Sequence, residues 1–571
     1  MKLIYKEVGD TGRSMYIVYP KGECRNAFKR VSITVLRDGQ DEASVKSLLV
    51  GGLWKLAQEN DAILCFPNPV GDSWNYKLSG EEDDAKMFPV FQEAMLREEN
   101  RPAEKFPWGI PTAWEMMNSW HVMHDTRYLI GLGSGANMAC TLAACYPDDI
   151  AAVLSNGGNL CEMARHQAVY APMPIWLVDS DTSTRDYFVR ANEAVLVEEK
   201  NENGYIKYKN ADNPLQCVTI IEGKGIADAE LINQVWKNLF CKVRRTRTSA
   251  HGDCVPRMDL KKAGIEAFLD NMSLDEHVRV PHTWFVHVPE AVRNTDKKVP
   301  LVLFFHGGSD NPGEAAEMSG FHQLGEEIGF ITVYPWATNK RQWNNDADPN
   351  EDDDLSFSET LIRYMCNNYP VDTQRVYLSG FSNGAAHAQV VAMTCPELVA
   401  AICPIDTRWP GDTTQEPQND QYEDNLPMYK ALERQKQFHY QMPVWYIYGT
   451  LEHDYPVVKG KSQQRQYDFW KKFNKIEIKP TPEKDAVHPC GCGVPGEVTE
   501  HIQLSGLFPH HHYDIHRFYT KDDAHLNLYN YVLMHDKKHE IAWMDTILGW
   551  NYVKQFRRLP DGSLSIISED K

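Results

Sequence analysis

Short apolar runs alternate with amphipathic stretches along the chain, and this alternation predicts strands separated by helices. The run Val299–Phe305 is apolar at every position, which is typical of a central parallel strand buried on both faces. Further strands are predicted at Trp284–Val288, Ile331–Tyr334, Arg375–Ser379, Ala400–Pro404, Pro443–Tyr448 and Tyr529–Leu533. The order of strands and helices predicts an α/β doubly wound fold with a mostly parallel sheet.

The same pattern occurs twice along the chain. Ser14–Pro20 matches Thr283–Pro289 at an offset of 269 residues, and five further matches follow in the same order. They are Leu56–Pro67 with Leu324–Pro335, Trp74-Asn75 with Trp343-Asn344, Arg127–Gly135 with Val376–Gly384, Met173–Trp176 with Met442–Trp445, and Arg244-Arg245 with Arg557-Arg558, where each arginine pair is predicted to end a helix. Chance explains a collinear set poorly, so the sequence predicts two tandem copies of one α/β fold.

The two copies are expected at residues 1–250 and 276–571, with the boundary between about Thr246 and His282. The second copy carries an additional polar segment at residues 406–441, which is rich in Trp, Pro, Tyr and acidic residues. This segment follows the end of a strand, a position where loops commonly carry function. We therefore expect a lid over the substrate there, with a plain surface insertion as the alternative.

Composition narrows the class of protein. The chain has 571 residues with 42% hydrophobic residues, which is ordinary for a globular protein, and a formal net charge of −20 disfavours nucleic acid or an anionic membrane as a partner. The N-terminus shows no signal-peptide pattern, and no apolar run reaches the roughly 18 residues of a membrane span. The thirteen cysteines are scattered. These features predict a cytoplasmic protein with mostly reduced thiols.

The strongest chemical motif is Gly380–Gly384, which reads G-F-S-N-G and follows a predicted strand directly before an apolar helix. A tight strand-to-helix turn of this kind lifts the hydroxyl of Ser382 clear of the sheet, and the glycines make room for the turn. Ser382 is therefore the predicted nucleophile. The alternative is a glycine-rich turn in which the serine only caps the helix.

A serine hydroxyl needs a base, and in folds with this motif the chain order is serine, acid, histidine. The loop after Pro443–Tyr448 offers two carboxylates, Glu452 and Asp454, and the sequence does not choose between them. The loop after the last strand offers His539 at its junction with the closing helix, with His535 as the second candidate. These residues complete a predicted triad.

The oxyanion hole is expected from the loop that starts at His306 and runs through two glycines. The backbone N–H groups of Gly308 and Asn383 are the predicted donors. Three further side chains, those of Trp343, His306 and Trp409, are candidates for contact with substrate. His/Cys clusters at residues 488–492 and 510–516 lack the usual zinc spacing, so neither a metal nor a cofactor is expected.

The second half resembles the esterases related to polyhydroxybutyrate depolymerases and feruloyl esterases. The resemblance lies in the stretch VPLVLFFHGGSDNP, the loop GTLEHDYP, the closing His539 helix and, most specifically, Asp352–Ala385. It implies an α/β-hydrolase fold and ester cleavage by a metal-free Ser-Asp-His triad, with Ser382 as nucleophile and His539 as base. The acid position of these esterases falls on Glu452, where Asp is usual, and this departure leaves Asp454 open.

In the first copy, the positions that match the triad are occupied by other residues. Gly133 stands at the position of the serine, Ser183 at that of the acid, and the histidine position falls near Gly225. The oxyanion loop corresponds to Arg37-Asp38-Gly39. The first copy is therefore predicted to be a non-catalytic α/β-hydrolase-like scaffold, and a shifted site that uses Ser134 is the alternative.

Together these patterns predict a serine carboxylic-ester hydrolase that works through an acyl-enzyme. The expected substrate is a small or polymer-derived ester, either a feruloyl or acetyl ester or a short hydroxyalkanoate. A serine peptidase of the prolyl-oligopeptidase kind and a tandem pseudo-hydrolase that acts as a binding module are the alternatives. The sequence does not decide whether the chain forms a homo-oligomer.

Overall fold

The structure is a computed structural model of the chain. It describes residues 3–8, 11–20, 30–79, 83–88, 122–167, 170–200, 204–222, 228–259, 262–270, 282–293, 295–308, 310–337, 342–347, 351–407, 410, 440–452, 462–477 and 498–567. The chain divides into two compact units, and the main boundary between them lies between Met258 and Asp259.

The first unit is built on a sheet whose strand order is β1-β2-β4-β3-β5-β6-β7-β10-β9-β8. Its strands are β1 (Leu3–Glu7), β2 (Ser14–Val18), β3 (Arg30–Leu36), β4 (Ala62–Pro67), β5 (Val122–Leu132), β6 (Ala152–Asn156), β7 (Ile175–Val178), β8 (Val195–Glu198), β9 (Tyr205–Lys209) and β10 (Cys217–Ile221), and the hairpin β11 (Val243–Thr246) and β12 (Asp253–Pro256) follows. Its α-helices are Glu42–Leu48, Trp54–Glu59, Ser134–Cys145, Glu162–Gln167, Thr182–Ala191 and Asp228–Asn238.

The second unit has a sheet in the order β13-β14-β16-β15-β17-β18-β19-β23-β22-β20, with β21 paired to β22. Its strands are β13 (Ile265–Asp270), β14 (His282–His287), β15 (Val299–Phe305), β16 (Ile331–Pro335), β17 (Val371–Phe381), β18 (Ala401–Ile405), β19 (Val444–Gly449), β20 (Ile476–Glu477), β21 (Glu500–Gln503), β22 (His512–Thr520) and β23 (Asn527–Met534), with the hairpin β24 (Phe556–Arg558) and β25 (Leu564–Ile566). Its α-helices are Glu290–Arg293, Pro312–Ser319, Phe321–Ile328, Asp354–Asn368, Asn383–Thr394, Ser462–Asn474 and Trp543–Val553.

The predicted fold class is confirmed, because both units are α/β and their sheets run through the same strand order. In each sheet the central strands are parallel, while the strands at both edges are antiparallel. Every residue of β15 is buried, as its unbroken apolar sequence predicts. Apolar side chains of β15 and β17 pack against the helices Asp354–Asn368 and Asn383–Thr394 to form the core of the second unit.

Equivalent hydrogen bonds occur within each unit at matched sequence positions. The Nε1 of Trp74 donates to the carbonyl of Arg37 at 2.8 Å, and the Nε1 of Trp343 donates to the carbonyl of His306 at 2.9 Å. Other matched pairs, with the first unit named first, are Asn75 N to Asp84 Oδ2 and Asn344 N to Asp354 Oδ2, Tyr128 OH to Val243 O and Tyr377 OH to Phe556 O, Asn192 Nδ2 to Met173 O and Asn474 Nδ2 to Met442 O, and Arg245 Nε to Ile150 O and Arg558 Nε to Val399 O. Buried polar groups need partners, so sequence matches of this kind preserve the packing of a fold.

Two details differ from the sequence prediction. The arginine pairs do not end helices, because they lie in β11 and β24, the short strands that follow the last helix of each unit. Arg245 and Arg558 are almost fully buried there, and each donates to backbone carbonyls. The second sheet begins at β13, which lies upstream of the expected start at residue 276.

The parallel register in the second unit aligns the strand ends that precede the candidate site residues. Phe305 pairs with Gly380, Phe381 with Ile405, and Gly449 with Met534. The following loops therefore emerge together at the carboxyl ends of the parallel strands β15, β17, β18, β19 and β23. This is the end of an α/β sheet where ligands commonly bind.

Two further observations concern the described ranges as a whole. Their ten cysteines are all free thiols. None of their helices combines the length and the apolar character needed to cross a lipid bilayer.

Candidate active site

Ser382 lies in a strained turn between β17 and the helix Asn383–Thr394. Its backbone has φ 53° and ψ −120°, and a non-glycine residue in such a sparsely populated conformation costs about 1–3 kcal/mol. The neighbouring glycines are required by space: a Cβ at Gly380 would lie 2.5 Å from the carbonyl oxygen of Gly384, and a Cβ at Gly384 would collide with the carbonyl oxygens of Phe305 and His306. The turn is therefore the predicted nucleophile elbow in its geometry.

His539 and Glu452 form a hydrogen-bonded pair, in which His539 Nδ1 lies 2.7 Å from Glu452 Oε1. A carboxylate only accepts, so Nδ1 carries the proton and Nε2 is left with its lone pair. The Glu452 side chain is 4% exposed and that of His539 is 42% exposed. The imidazole also packs on the ring of Phe381, the residue before Ser382, with ring centroids 4.7 Å apart.

Opposing effects act on the pKa of His539. Burial lowers it, while the hydrogen bond and charge of Glu452, together with the charges of Asp406 and Asp310, raise it. The raising effects are larger, so the pKa of His539 lies above the usual 6.5. The site therefore favours the imidazolium ion that a general base becomes after it takes a proton.

The loop after β15 is fixed by the imidazole of His306, which is fully buried. Its Nε2 accepts the N–H of Ala337 at 3.0 Å, so Nδ1 carries the proton and donates to the carbonyl of Gly307 at 2.7 Å. A Cβ at Gly308 would lie 2.6 Å from the side-chain amide of Gln342. A Cβ at Gly307 would lie 2.9 Å from the ring of Phe381, so Gly307 lets the loop pass close to the elbow.

A second group of hydrogen bonds holds Asn383, the first residue of the helix after the elbow. Its Oδ1 accepts the N–H of Trp343 at 2.7 Å, and its carbonyl accepts from Asn345 Nδ2 at 3.1 Å. His387 in turn lies 2.9 Å from Asn345 Oδ1 through Nδ1 and stacks on Trp343, with ring centroids 4.4 Å apart. These contacts fix the backbone around the predicted oxyanion donor at Asn383.

The expectation that Trp343 and His306 contact substrate is not met. Trp343 is 3% exposed and His306 is 0% exposed, and both form hydrogen bonds to backbone groups of the loops around the site. Their hydrogen bonds hold the loop after β15 in place. Trp409 and Asp454, the other side-chain candidates, lie outside the described residues, as do residues 411–439 of the predicted lid.

Sequence reasoning missed a buried charged cluster beside the His539–Glu452 pair. Lys537 Nζ lies 2.9 Å from both Asp406 Oδ2 and Asp545 Oδ2, and the side chains of all three residues are inaccessible to solvent. One oxygen of Asp406 and one of Glu452 lie within 4.8 Å of each other and of a ring nitrogen of His539. Hydrogen bonds to His539 and Lys537 already engage these carboxylates, and we assign no metal to them. The sequence does contain one indication of this cluster. Asp406 directly follows β18, at the carboxyl ends of the parallel strands, where the candidate site residues lie.

The elbow of the first unit has the same backbone but a different occupant. Gly133 has φ 61° and ψ −133°, close to the values of Ser382. A Cβ at Gly133 would collide with the carboxylate of Asp38. That carboxylate accepts the backbone N–H of Ser134 at 3.1 Å and the hydroxyl of the same residue. An anion of the chain itself therefore occupies the space above this elbow.

Comparisons with known proteins bear on the second unit. Residues 286–407 match the family described as Esterase PHB depolymerase. The poly(3-hydroxyalkanoate) depolymerase C of Paucimonas lemoignei is 31% identical over 129 residues, which are 21% of this chain and 30% of that protein. Feruloyl esterase B of Talaromyces stipitatus is 28% identical over 124 residues, which are 20% of this chain and 33% of that protein.

Among solved structures, the acetyl xylan esterase from Aspergillus awamori has a TM-score of 0.34 and 14% sequence identity over 51% of this chain and 99% of its own. The chain covers only 30% and 33% of the length of the two curated relatives. For residues 286–407, the resemblance seen in the sequence is confirmed, and this part of the chain is similar to the Esterase PHB depolymerase family.

Proposed function

We propose that the second unit is a serine carboxylic-ester hydrolase with Ser382 as its nucleophile. The observation that carries the proposal is the Glu452–His539 pair, which packs on Phe381 directly before the strained Ser382. A base with one nitrogen held by a carboxylate, placed beside a serine in an elbow, is the arrangement that activates a hydroxyl. The esterase names of the relatives agree with this chemistry.

The proposed reaction has two steps. His539 Nε2 takes the proton of Ser382 as its oxygen attacks the ester carbonyl, and the N–H groups of Asn383 and Gly308 stabilise the oxyanion. The imidazolium then gives that proton to the leaving alcohol, and an acyl-enzyme forms. Water, deprotonated by the same histidine, releases the acid and restores Ser382. Glu452 holds the imidazole in the required tautomer throughout.

Feruloyl, acetyl and short hydroxyalkanoate esters are the proposed substrates. The relatives include a polyhydroxyalkanoate depolymerase, feruloyl esterases and acetylxylan esterases. A peptidase of the prolyl-oligopeptidase kind stays the alternative, since it would use the same triad. The cytoplasmic location stays a prediction of the sequence, which does not decide the oligomeric state.

We propose further that the first unit has no hydrolytic site of its own. Asp38 supports this proposal, because its carboxylate already accepts the backbone N–H of Ser134, which is the counterpart of the oxyanion donor Asn383. A carboxylate at that place repels an oxyanion. The position that matches His539 falls within residues 223–227, which lie outside the described part of the chain.

The test is a panel of feruloyl, acetyl-xylan and hydroxybutyrate esters with a peptide amide as the contrasting substrate. Wild type, Ser382→Ala and the matched control Ser134→Ala are compared, and a fluorophosphonate probe labels reactive serines. We expect ester turnover and labelling in the wild type and Ser134→Ala, and neither in Ser382→Ala. Strong amidase activity without esterase activity would favour the peptidase, and unchanged turnover in Ser382→Ala would rule out the proposed nucleophile.

A further inference from the structure

Asp406 occupies a backbone position that disfavours any side chain. It follows β18 directly with φ 46°, and its N–H donates to the carbonyl of Ile447 at 2.9 Å. At the corresponding place after β6, the first unit has Gly157 with φ 87°, and its N–H donates to the carbonyl of Val178 at 2.9 Å. Glycine fits this conformation freely, whereas an aspartate there gives up some backbone stability, which interactions of its carboxylate can offset.

Those interactions join Asp406 to the loop that carries His539. Oδ1 accepts the N–H of Gly449 at 2.9 Å, and Oδ2 accepts from Lys537 Nζ at 2.9 Å and from the N–H of Glu540 at 3.3 Å. These three donors suit the ionised carboxylate, which only accepts. The pKa of Asp406 lies above its usual range, because burial and the charge of Glu452 raise it more than the charges of Lys537 and His539 lower it.

The cluster carries more negative than positive charge. Asp406, Asp545 and Glu452 supply three carboxylates, while Lys537 supplies one ammonium group. Asp545 contacts Lys537 through Oδ2. The same oxygen accepts the N–H of Ala542 at 3.0 Å and so caps the helix Trp543–Val553. Asp406 and Glu452 each place an oxygen within 4.8 Å of an imidazole nitrogen of His539.

We propose that Asp406 is a positioning residue for the reaction, which fixes the His539 loop through Lys537 and the Glu540 N–H and adds a second negative charge beside the imidazole. The inference rests on the proposed function, in which His539 is the base. Negative charge placed beside a base stabilises the protonated form that arises in the transition state. Asp406 thus acts through His539 and does not touch substrate.

Besides Asp406, the acidic groups around His539 are those of Glu452, Asp310 and Glu540. Glu452 contacts Nδ1, and Asp310, in the loop after β15, adds a weaker field that also raises the pKa of the imidazole. Glu540 follows His539 in the chain, and its Oε1 accepts the N–H of Ile541 at 3.1 Å. Changing Asp406 alone therefore removes one of several negative charges, and the expected shift is moderate.

The experiment compares Asp406→Asn with the matched control Asp545→Asn in the full chain. Both variants remove one carboxylate from Lys537, but only the first removes a charge near His539. NMR of ¹³C-labelled histidine, with the His539 signal assigned from His539→Gln, gives the titration midpoint of the imidazole whether or not any ester is turned over. Turnover of p-nitrophenyl acetate gives kcat.

We expect Asp406→Asn to lower the His539 midpoint by about 0.5–1 pH unit and to lower kcat at least about tenfold, while Asp545→Asn leaves the midpoint in place. Asp406→Gly introduces the residue that the first unit has at the corresponding place, and it relieves the backbone strain. If Asp406→Asn folds poorly, Asp406→Gly should show the same shift of the His539 midpoint. An unchanged midpoint in both Asp406 variants, or an equal shift in Asp545→Asn, overturns the inference. Loss of the proposed function is recognised separately, by wild-type turnover that equals that of Ser382→Ala.

Discussion

Gly133 and Ser382 hold one backbone conformation in the two units, with φ 61° and ψ −133° at the glycine and φ 53° and ψ −120° at the serine. The backbone turn is therefore the same in the first unit, although glycine stands there in place of the serine. Each residue directly precedes the helix that follows the long central strand of its sheet. A strained turn that survives without a nucleophile belongs to the architecture of the fold, so the elbow alone does not identify a working site.

Replacing Glu452 should separate the two candidate acids. We expect Glu452→Gln to lower kcat by about 10³–10⁴-fold, because an amide no longer stabilises the imidazolium of His539. Asp454→Asn is the matched control in the same loop and should retain wild-type turnover. Steady-state kinetics with p-nitrophenyl acetate measures both. The reverse outcome would assign the acid to Asp454.

The pH profile of kcat/KM should report the base. His539 must be neutral to accept a proton, so activity is lost as the pH falls through its pKa. Since Glu452 and the neighbouring carboxylates raise that pKa, the acidic limb of the profile should lie above pH 6.5. A limb well below pH 6.5 in the wild type would contradict the arrangement of charges around His539.

Removing Asp38 tests the occupied elbow of the first unit. Asp38→Ala should leave ester turnover unchanged and should lower the free energy of unfolding by up to about 1 kcal/mol, because the helix Ser134–Cys145 loses an anion at its N-terminus. Urea denaturation and esterase assays measure the two effects. Fluorophosphonate labelling of Asp38→Ala in a Ser382→Ala background would instead reveal a latent nucleophile in the first unit.

Buried histidines should make the second unit sensitive to acid. Burial lowers the pKa of His322 and of His387 to about 3. The folded state therefore stays unprotonated at these rings while the unfolded state takes up protons below pH 6.5, so stability falls as the pH drops from about 6.5 towards 3. Each ring contributes roughly 1.4 kcal/mol per pH unit in that window.

Urea unfolding between pH 4 and pH 7 measures this dependence. His387→Gln keeps hydrogen-bonding atoms beside Ser358 and Asn345 but cannot titrate, so the slope of the free energy of unfolding against pH should become shallower by about one proton. Equal slopes in the variant and the wild type would show that His387 is protonated in the folded state.

The sequence by itself determined the strands, the duplicated pattern and the elbow. Apolar runs such as Val299–Phe305 define buried strands locally, and the glycines around Ser382 leave room for a tight turn. The position of His539 after the last parallel strand followed from chain order. These features depend on neighbours in sequence, which is why they can be predicted without coordinates.

Only the tertiary structure decided which side chains meet. Glu452 lies 87 positions from His539, and the 2.7 Å contact between them arises because the paired strands β19 and β23 bring their following loops together. The contacts of Asp406 with Lys537, the burial of Trp343 and the carboxylate of Asp38 above Gly133 likewise depend on segments far apart in the chain. A periodic pattern assigns residues to faces of strands and helices, whereas distances between loops are set by how the whole sheet packs.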